Sequence, residues 1–308
     1  MRSLADLKPA LKGVFRRAAG VALGAVASLT LASGALAVAP AKGEPAIWVV
    51  KDADSTIYLF GTVHLLKPDA QWMSPKIKQA FDASQDLTLE IANVDDQQAA
   101  AASIMKWGVD VAHPLSTKLS DADKAKLAAA EAAYGIPAAN LEPVKPWFAG
   151  LTFTLLPLQK VGFDPKSGVE LNLMSMARAR QETILGFETF DDQMGYFDGL
   201  PLEQQAAFLR EAIDNGPKAA DELDRLEKAW EVGDVDAISH ILNDGMKKDD
   251  PKLYDLLLTK RNERFAAKIA EKLKGKGVSF VAVGAAHLAG PASVQVQLRR
   301  LGIKARRV

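Results

Sequence analysis

Two histidines stand at matching places in the sequence, each three residues after a glycine that closes an apolar run. The units are Gly61-Thr62-Val63-His64 and Gly284-Ala285-Ala286-His287. Apolar runs of this length, rich in Val, Phe and Ile and bounded by charged or turn residues, predict buried strands rather than helices. Loops at strand ends commonly carry sites because a rigid sheet positions them. The pair therefore predicts one site shared by both imidazoles, although two unrelated turn histidines would give the same pattern.

Two glutamates at predicted strand ends could complete a metal site. Glu90 closes a strand predicted over 86–91, and Glu188 follows one predicted over 182–187. Because the chain has no cysteine, imidazole, carboxylate or backbone oxygen must hold any metal. We expect His64, Glu90 and His287 to bind a divalent Mn, Co, Zn or Fe ion and leave positions open for water. Glu188 is predicted as a further ligand or as the general base; for each glutamate, a surface or helix-capping role is the alternative.

Six short motifs follow one another between about residue 47 and the C-terminus. They are Leu59-Phe60-Gly61-Thr62-Val63-His64, Leu87-Thr88-Leu89-Glu90, Ser167-Gly168-Val169-Glu170, Leu185-Gly186-Phe187-Glu188-Thr189, Lys260-Arg261-Asn262 and Val283-Gly284-Ala285-Ala286-His287-Leu288-Ala289-Gly290-Pro291. In this order the chain resembles the TraB/GumN family, which includes the Tiki-type metalloproteases and is related to the ChaN and erythromycin-esterase folds. The resemblance implies peptide-bond cleavage. One difference is that the family often has Glu-x-Asp after the second strand, whereas Glu90 is followed by Ile91-Ala92.

The resemblance also draws attention to Arg261 and Asn262, which lie in a helix predicted over 252–272. Together with Glu188 they are predicted as catalytic. Arg261 could stabilise an oxyanion or clamp a substrate carboxylate, because a guanidinium stays charged and pairs bidentately; a solvated helix charge is the alternative. Glu170 is predicted either to orient a ligand histidine or to be a first-turn residue favoured by the helix dipole.

The remaining histidines are not expected in the site. His113 precedes Pro114 and is predicted as a turn residue, while His240 lies in a helical segment where no acidic partner is expected at ligand spacing. The sequence lacks His-Glu-x-x-His, Gly-x-Ser-x-Gly and Walker motifs, which disfavours zincins, lipase-type enzymes and nucleotide hydrolases. Four aromatics on predicted helices are expected in the core rather than along a cleft: Trp107, Trp147, Phe148 and Trp230.

The pattern of elements predicts the α+β class, with a central mixed β-sheet, helices packed on it and two helical insertions. Strands are predicted over 47–51, 56–63, 86–91, 182–187, 278–283 and 303–308, the first two forming a hairpin. The insertions are predicted at about 95–160 and about 191–272, the second with about four helices. We expect one domain over 38–308, since a chain of this length can bury a substantial core.

The N-terminus has the organisation of a secretory signal, with basic residues up to Arg17, an apolar stretch and Ala35-Leu36-Ala37. Cleavage after Ala37 would give a periplasmic or secreted protein without a membrane span; an uncleaved anchor is the alternative. The first 37 residues hold five of the 38 basic residues and one of the 38 acidic ones. The remainder is therefore slightly acidic, and no nucleic-acid partner is expected.

Two functions are consistent with these features. The first is an exported metal-dependent hydrolase, a peptidase acting on a peptide or another small polar substrate. The second is a non-catalytic protein on the same scaffold, which binds a ligand such as haem or assists surface-polysaccharide production. The sequence leaves the substrate, the metal and the oligomeric state open.

Overall fold

A six-stranded mixed sheet forms the centre of the structure, which is a computed structural model describing residues 43–308. The predicted signal segment, residues 1–37, lies outside the described residues. The strands are β1 Ile47–Lys51, β2 Ser55–Thr62, β3 Asp86–Ile91, β4 Thr183–Glu188, β5 Gly277–Gly284 and β6 Ala305–Arg307. The predicted α+β class with a central mixed sheet is confirmed.

The sheet order, β4-β3-β5-β2-β1-β6, places four parallel strands side by side. β1 is antiparallel to β2 and to β6, so the predicted hairpin is confirmed. Parallel strands end at one edge of a sheet, so the carboxyl ends of β4, β3, β5 and β2 lie along the same edge. There Thr62 of β2 is opposite Gly284 of β5. The two Gly-x-x-His units are therefore neighbours, offset by one residue.

Helices connect the strands. They are α1 Pro75–Asp82, α2 Gln97–Trp107, α3 Asp121–Tyr134, α4 Ala138–Leu141, α5 Pro146–Lys160, α6 Val169–Ala179, α7 Phe190–Asp198, α8 Leu202–Asn215, α9 Ala219–Glu231, α10 Val235–Ser239, α11 Gly245–Asp249, α12 Pro251–Tyr254, α13 Lys260–Leu273 and α14 Val294–Arg300. A π-helical turn, His240–Asp244, joins α10 to α11, and another, Asp255–Thr259, joins α12 to α13. Within residues 43–308, no helix combines the length and apolar character needed to cross a bilayer.

The predicted second insertion contains four continuous helical runs, which agrees with the predicted number, but Gly216-Pro217 does not interrupt the helix. A break that was not predicted lies at Gly233, whose φ of 69° is a left-handed conformation that favours glycine. Asp234 then caps the next helix, because its carboxylate accepts from the backbone N–H of Ala237 at 2.9 Å. Gly233 is a turn signal that the proline-based division of this region overlooked.

The described residues form two compact units. The sheet unit comprises 43–93, Asp164–Thr189 and Asp221–Val308, and the helical unit comprises Val94–Phe163 and Phe190–Ala220. The first predicted insertion makes up most of the helical unit. The second is helical throughout, but its residues divide between the two units.

Alternation along the strands gives the sheet two apolar faces. Leu59, Val281 and Val283 belong to a buried cluster with Phe265 and Ile269 of α13. Residues one position away in the strands belong to an aromatic cluster on the other face, in which Phe60 lies 5.9 Å from Phe280, 5.9 Å from Trp72 and 6.2 Å from Trp230 between ring centroids. Apolar clusters therefore cover both faces of the middle strands, with α13 on one face and Trp230 of α9 on the other.

The helical unit has its own aromatic core. Trp147 stacks on Phe197 at 5.6 Å, and Phe197 lies 5.8 Å from Phe208. Trp147 and Phe148 are buried, as is Trp230 in the sheet unit, which confirms their predicted core position. Trp107 is only half-buried, and the ammonium of Lys106 lies 4.6 Å from its ring centroid.

Helix α3 begins and ends as its sequence predicts. The Ser120 hydroxyl accepts from the backbone N–H of Asp123, and the hydroxyl donates to the Asp123 carboxylate. Gly135 ends the helix with a φ of 64°. The Asp123 carboxylate also accepts from Nε of Arg210 at 2.6 Å and from its NH2 group at 3.0 Å, which ties α3 to α8.

We expect Asp123→Asn to lower the free energy of unfolding at pH 7 by about 1 kcal/mol, because one side of the ion pair remains open to solvent. Hydrogen bonding to Arg210 lowers the pKa of Asp123 from 3.8 to about 2. The stabilisation is therefore present above pH 4 and is lost as pH falls to about 2. Urea unfolding across this range measures it. Asp121→Asn, in the same first turn, is the control, and an equal loss there would assign the effect to the helix dipole instead.

Candidate functional site

Four strand ends bring the predicted site residues together in the sheet unit. Glu90 is the next-to-last residue of β3 and Glu188 is the last residue of β4. His64 follows β2 by two residues, and His287 lies in the 3-10 turn Ala285–Leu288 that follows β5. Glu90, Glu188 and His287 bond to Arg261, in the first turn of α13, and Nε2 of His64 lies beside Glu90 at Gly284. Both glutamates are buried, in contrast to the surface alternative.

Arg261 makes more hydrogen bonds than the other side chains of the site. It is buried, with only 7% of the residue exposed. Its Nε lies 3.0 Å from each oxygen of Glu188, and its NH2 group donates to Glu188 and to Glu90 at 2.6 Å each. Its NH1 group donates to the carbonyl of Leu257 at 3.2 Å and to Nε2 of His287 at 3.1 Å. These bonds use all five N–H groups of a guanidinium. Arg261 is thus a buried centre of an ionic network rather than a solvated helix charge, and donation to an oxyanion would require one bond to break.

The network keeps its charges although it is buried. Burial by itself raises the pKa of Glu90, but the charge of Arg261 outweighs it and the pKa falls to about 2. Burial likewise opposes the charge on Arg261, yet Glu90 and Glu188 raise its pKa above the ordinary value. Opposite charges in contact favour the ionised form of both partners. At neutral pH Glu90 is therefore a carboxylate and Arg261 a cation.

A chain of hydrogen bonds fixes the protonation of His287. Nδ2 of Asn262 donates to the carbonyl of Ala292 at 2.8 Å, so Oδ1 of Asn262 faces Nδ1 of His287, at 2.5 Å. Nδ1 must therefore carry the proton, and Nε2 is the acceptor for Arg261. Burial lowers the pKa of His287 to about 4. Asn262 thus positions a neutral imidazole whose Nε2 lone pair faces the site.

His64 is oriented in the same way from another element. Oε1 of Glu170, in the first turn of α6, lies 2.7 Å from Nδ1 of His64 and also accepts from the hydroxyl of Thr62. The backbone N–H of Val169 donates to the carbonyl of Val63 at 3.1 Å. At Gly168 a side chain would collide with the carbonyl of His64. The Ser167-Gly168-Val169-Glu170 motif therefore supports the His64 turn. Thr62 is not among the residues predicted for the site, although it lies inside the first Gly-x-x-His unit.

Gly284 forms the floor on which these donors meet. A Cβ atom added there would lie 3.2 Å from Oε1 of Glu90, 3.3 Å from Nε2 of His64 and 3.7 Å from Cδ2 of His287. Oε1 of Glu90 also accepts from the N–H of Gly284 at 2.7 Å, and it lies 3.6 Å from Nε2 of His287. Only glycine leaves this space open.

The residues at Gly284 fit a divalent metal in donor type and burial, although Nε2 of His287 would have to give up its hydrogen bond from Arg261 to bind one. Two imidazoles with Nδ1 fixed by a buried acceptor, plus one carboxylate, are typical ligands with their supporting partners. Their positions are not those of closed coordination: within residues 43–308, no group of three His, Asp or Glu side chains is arranged around one ion position. Arg261 neutralises Glu90, which lowers its attraction for a cation.

The other histidines lie outside this cluster. His113 is an exposed turn residue beside Asp110, with its Nδ1 3.2 Å from Oδ1. His240 is also exposed, but the expectation that it lacks an acidic partner is wrong. Asp244 lies one helical turn later, with its Oδ2 2.5 Å from Nδ1 of His240.

Comparison with known proteins agrees with this geometry. Residues 46–307 match the sequence pattern that describes the TraB/PrgY/gumN family. The chain belongs to the TraB/PrgY/gumN family. It is similar to a protein of Treponema pallidum (strain Nichols) named "Uncharacterized protein", with 22% identity over 287 residues that cover 86% of this chain and 83% of that protein. No solved structure matches the chain. The resemblance expected from the ordered motifs is thus confirmed at the level of the family.

In this TraB/PrgY/gumN chain, the motif around β4 also has a steric role. A Cβ at Gly186 would lie 2.7 Å from the backbone nitrogen of Ala92, so glycine allows the chain after β3 to approach β4 closely. That approach places Glu188 where Arg261 can bond it together with Glu90. The roles predicted for these residues in metal binding and catalysis stay predictions.

We expect Gly284→Ala to weaken divalent-metal binding at least tenfold, because the new methyl group occupies the space between Glu90 and His64. The backbone itself tolerates alanine, since φ is −49° and ψ is 139°. Isothermal titration with Mn²⁺, Co²⁺ and Zn²⁺ measures the affinity, and urea unfolding measures the stability.

Gly61→Ala is the matched control from the other Gly-x-x-His unit. Its Cβ would lie 3.2 Å from Cα of Ala285, in the packed core rather than among the metal donors. It should lower the free energy of unfolding by about 1–3 kcal/mol and weaken binding less than Gly284→Ala. A larger loss of affinity in Gly61→Ala would show that Gly284 is not the floor of the site.

Proposed function

We propose that this protein is an exported metal-dependent hydrolase and that its substrates are peptides. The observation that carries the proposal is the arrangement at Gly284. Two imidazoles, each bonded through Nδ1 to a buried side-chain acceptor, place Nε2 beside the same buried carboxylate. Membership in the TraB/PrgY/gumN family and the resemblance to Tiki-type metalloproteases support peptide cleavage as the reaction.

His64, Glu90 and His287 would hold the metal, which could be Mn, Co, Zn or Fe. When bound, such an ion polarises a carbonyl group and acidifies water. Glu170 and Asn262 keep each imidazole in the tautomer that presents a lone pair. The side chain of His64 is 16% exposed, against 5% for His287, so a substrate would reach the site from the His64 side.

Glu188 and Arg261 act together in this proposal. A general base needs a free carboxylate oxygen near the reacting water, whereas both oxygens of Glu188 bond to Arg261. Glu188 therefore serves first to balance the charge of Arg261. Arg261 in turn keeps Glu90 ionised and fixes its orientation.

Because both oxygens of Glu188 already bond to Arg261, a second candidate function is also favoured, that of a non-catalytic binding protein. If both carboxylates remain committed to Arg261, the site binds a metal or a small ligand without a base to activate water. His64→Gln separates the two functions because it removes a predicted metal ligand and leaves Arg261 and both of its carboxylates in place. Peptide cleavage by wild type that falls at least 100-fold in His64→Gln favours the hydrolase. Metal binding without cleavage of a diverse peptide library favours the binding protein.

We expect Mn²⁺, Co²⁺ or Zn²⁺ to raise the melting temperature of the protein, with about 2.7 kcal/mol of stabilisation at 100 times the dissociation constant. His64→Ala and His287→Ala should each abolish the shift, because each removes one ligand. Thermal unfolding with and without metal is the measurement.

His113→Ala and His240→Ala control for non-specific binding to exposed imidazoles. Both should keep the wild-type shift, since neither residue lies at Gly284. No shift with any ion, or a shift lost only in these two variants, would contradict the metal site.

Export gives a separate prediction. Expressed in a Gram-negative host, the protein should be recovered outside the cytoplasm with Val38 as its first residue, because Ala35-Leu36-Ala37 fits a signal-peptidase site. Intact-mass measurement of the fractionated protein tests this. A chain that keeps residues 1–37 and sediments with membranes would support the anchor alternative instead.

A further inference from the structure

We infer that the helical segment Asp221–Asp249 positions both histidine turns, through Trp230 and Asn243. The inference rests on the proposed function in one respect, namely that the two turns are positioned to bind a metal. The segment contains most of α9, all of α10 and α11, and the π-helical turn between them. It lies in the sheet unit with both turns.

Trp230 supports the first turn. Its Nε1 donates to the carbonyl of Gly61 at 2.7 Å. The whole side chain is buried in the aromatic cluster that contains Phe60, on the sheet face opposite α13. Gly61 begins the unit that ends in His64. A buried indole that donates to a carbonyl at a strand end fixes where the following residues leave the sheet.

Asn243 supports the second turn. Its Nδ2 donates to the carbonyl of Ala286 at 3.1 Å and to that of Ala289 at 3.0 Å, so it holds the backbone on both sides of His287. The close approach is specific, because a Cβ at Gly290 would lie 2.5 Å from Oγ of Ser239. Gly290 has a φ of 77°, which also favours glycine.

The π-helical turn explains how one segment reaches both places. Asn243 lies in the turn His240–Asp244, where the wider helix carries an additional residue per turn. That turn directs the buried amide of Asn243 towards the backbone on either side of His287. His240 and Asp244, the first and last residues of the turn, are exposed and pair with each other. Trp230 and Asn243 are thus positioning residues. They bond to the backbone of the turns that carry the imidazoles.

Two variants remove the donors and keep the shape. Trp230→Phe removes the indole N–H, and Asn243→Leu replaces the amide with an apolar group of similar size. Controls come from the helical unit. Trp147→Phe changes a buried tryptophan whose Nε1 has no partner among residues 43–308. Gln205→Met removes an amide that donates to two backbone carbonyls, at 2.9 and 3.4 Å.

Three measurements on the full chain test the inference. Hydrogen exchange should accelerate at 61–66 in Trp230→Phe and at 285–291 in Asn243→Leu. Long-range ¹H–¹⁵N spectra should report Nδ1-protonated rings for His64 and His287 in wild type, with new shifts or tautomer mixtures only in these two variants. Co²⁺ affinity should fall about 10- to 100-fold, as for other supporting partners of metal ligands. The controls should change only the melting temperature.

The outcomes separate the inference from the proposed function. Unchanged exchange and unchanged ring signals in both variants would overturn the inference even if the protein binds metal. If wild type binds no metal, the proposed function fails, whereas the exchange and ring signals still decide whether the segment positions the turns. A decrease in melting temperature alone, equal to that of the controls, would mean that Trp230 and Asn243 are ordinary core residues.

Discussion

The guanidinium of Arg261, buried between two carboxylates, is the interaction on which the rest of the site depends. Removing such charges from water costs several kcal/mol for each ion, and the cost is offset only when their hydrogen bonds are complete. Here they are complete: Glu90 of β3, Glu188 of β4 and His287 beyond β5 all bond to Arg261. Loss of any charged partner would leave a buried charge, at a cost of about 3–5 kcal/mol. The cluster therefore fixes α13 against three strand ends at once.

This network determines which polar side chains of the site can face a ligand. Because Glu188 and Nε2 of His287 both bond to Arg261, a ligand that contacts both imidazoles must displace the hydrogen bond between Arg261 and His287. Each imidazole is held at Nδ1 by a residue on a different element, Glu170 on α6 and Asn262 on α13. Two independent supports thus bond the same ring nitrogen, Nδ1, in both histidines. Such convergence is hard to explain by core packing alone, since a core histidine needs no particular nitrogen exposed to a site.

The two Gly-x-x-His units look equivalent in sequence but differ in what their glycines do. The register places Thr62, not Gly61, opposite Gly284. Gly61 therefore faces the packed backbone of Ala285, while Gly284 faces the ring of His64 and the carboxylate of Glu90. A one-residue offset between neighbouring strands is enough to make one glycine a packing residue and the other the floor of the site.

The sequence by itself determined the strands, the turn residues and the four strand ends that carry His64, Glu90, Glu188 and His287, because hydrophobic periodicity and glycine punctuation are local properties. Its ordered motifs also indicated the family. Only the tertiary structure decided which side chains are partners. Arg261 bonds Glu90 across 171 residues of chain, and Asn243 reaches Ala289 across 46. Those pairings follow from strand order and from a π-helical turn, and neither leaves a periodic signal in the sequence.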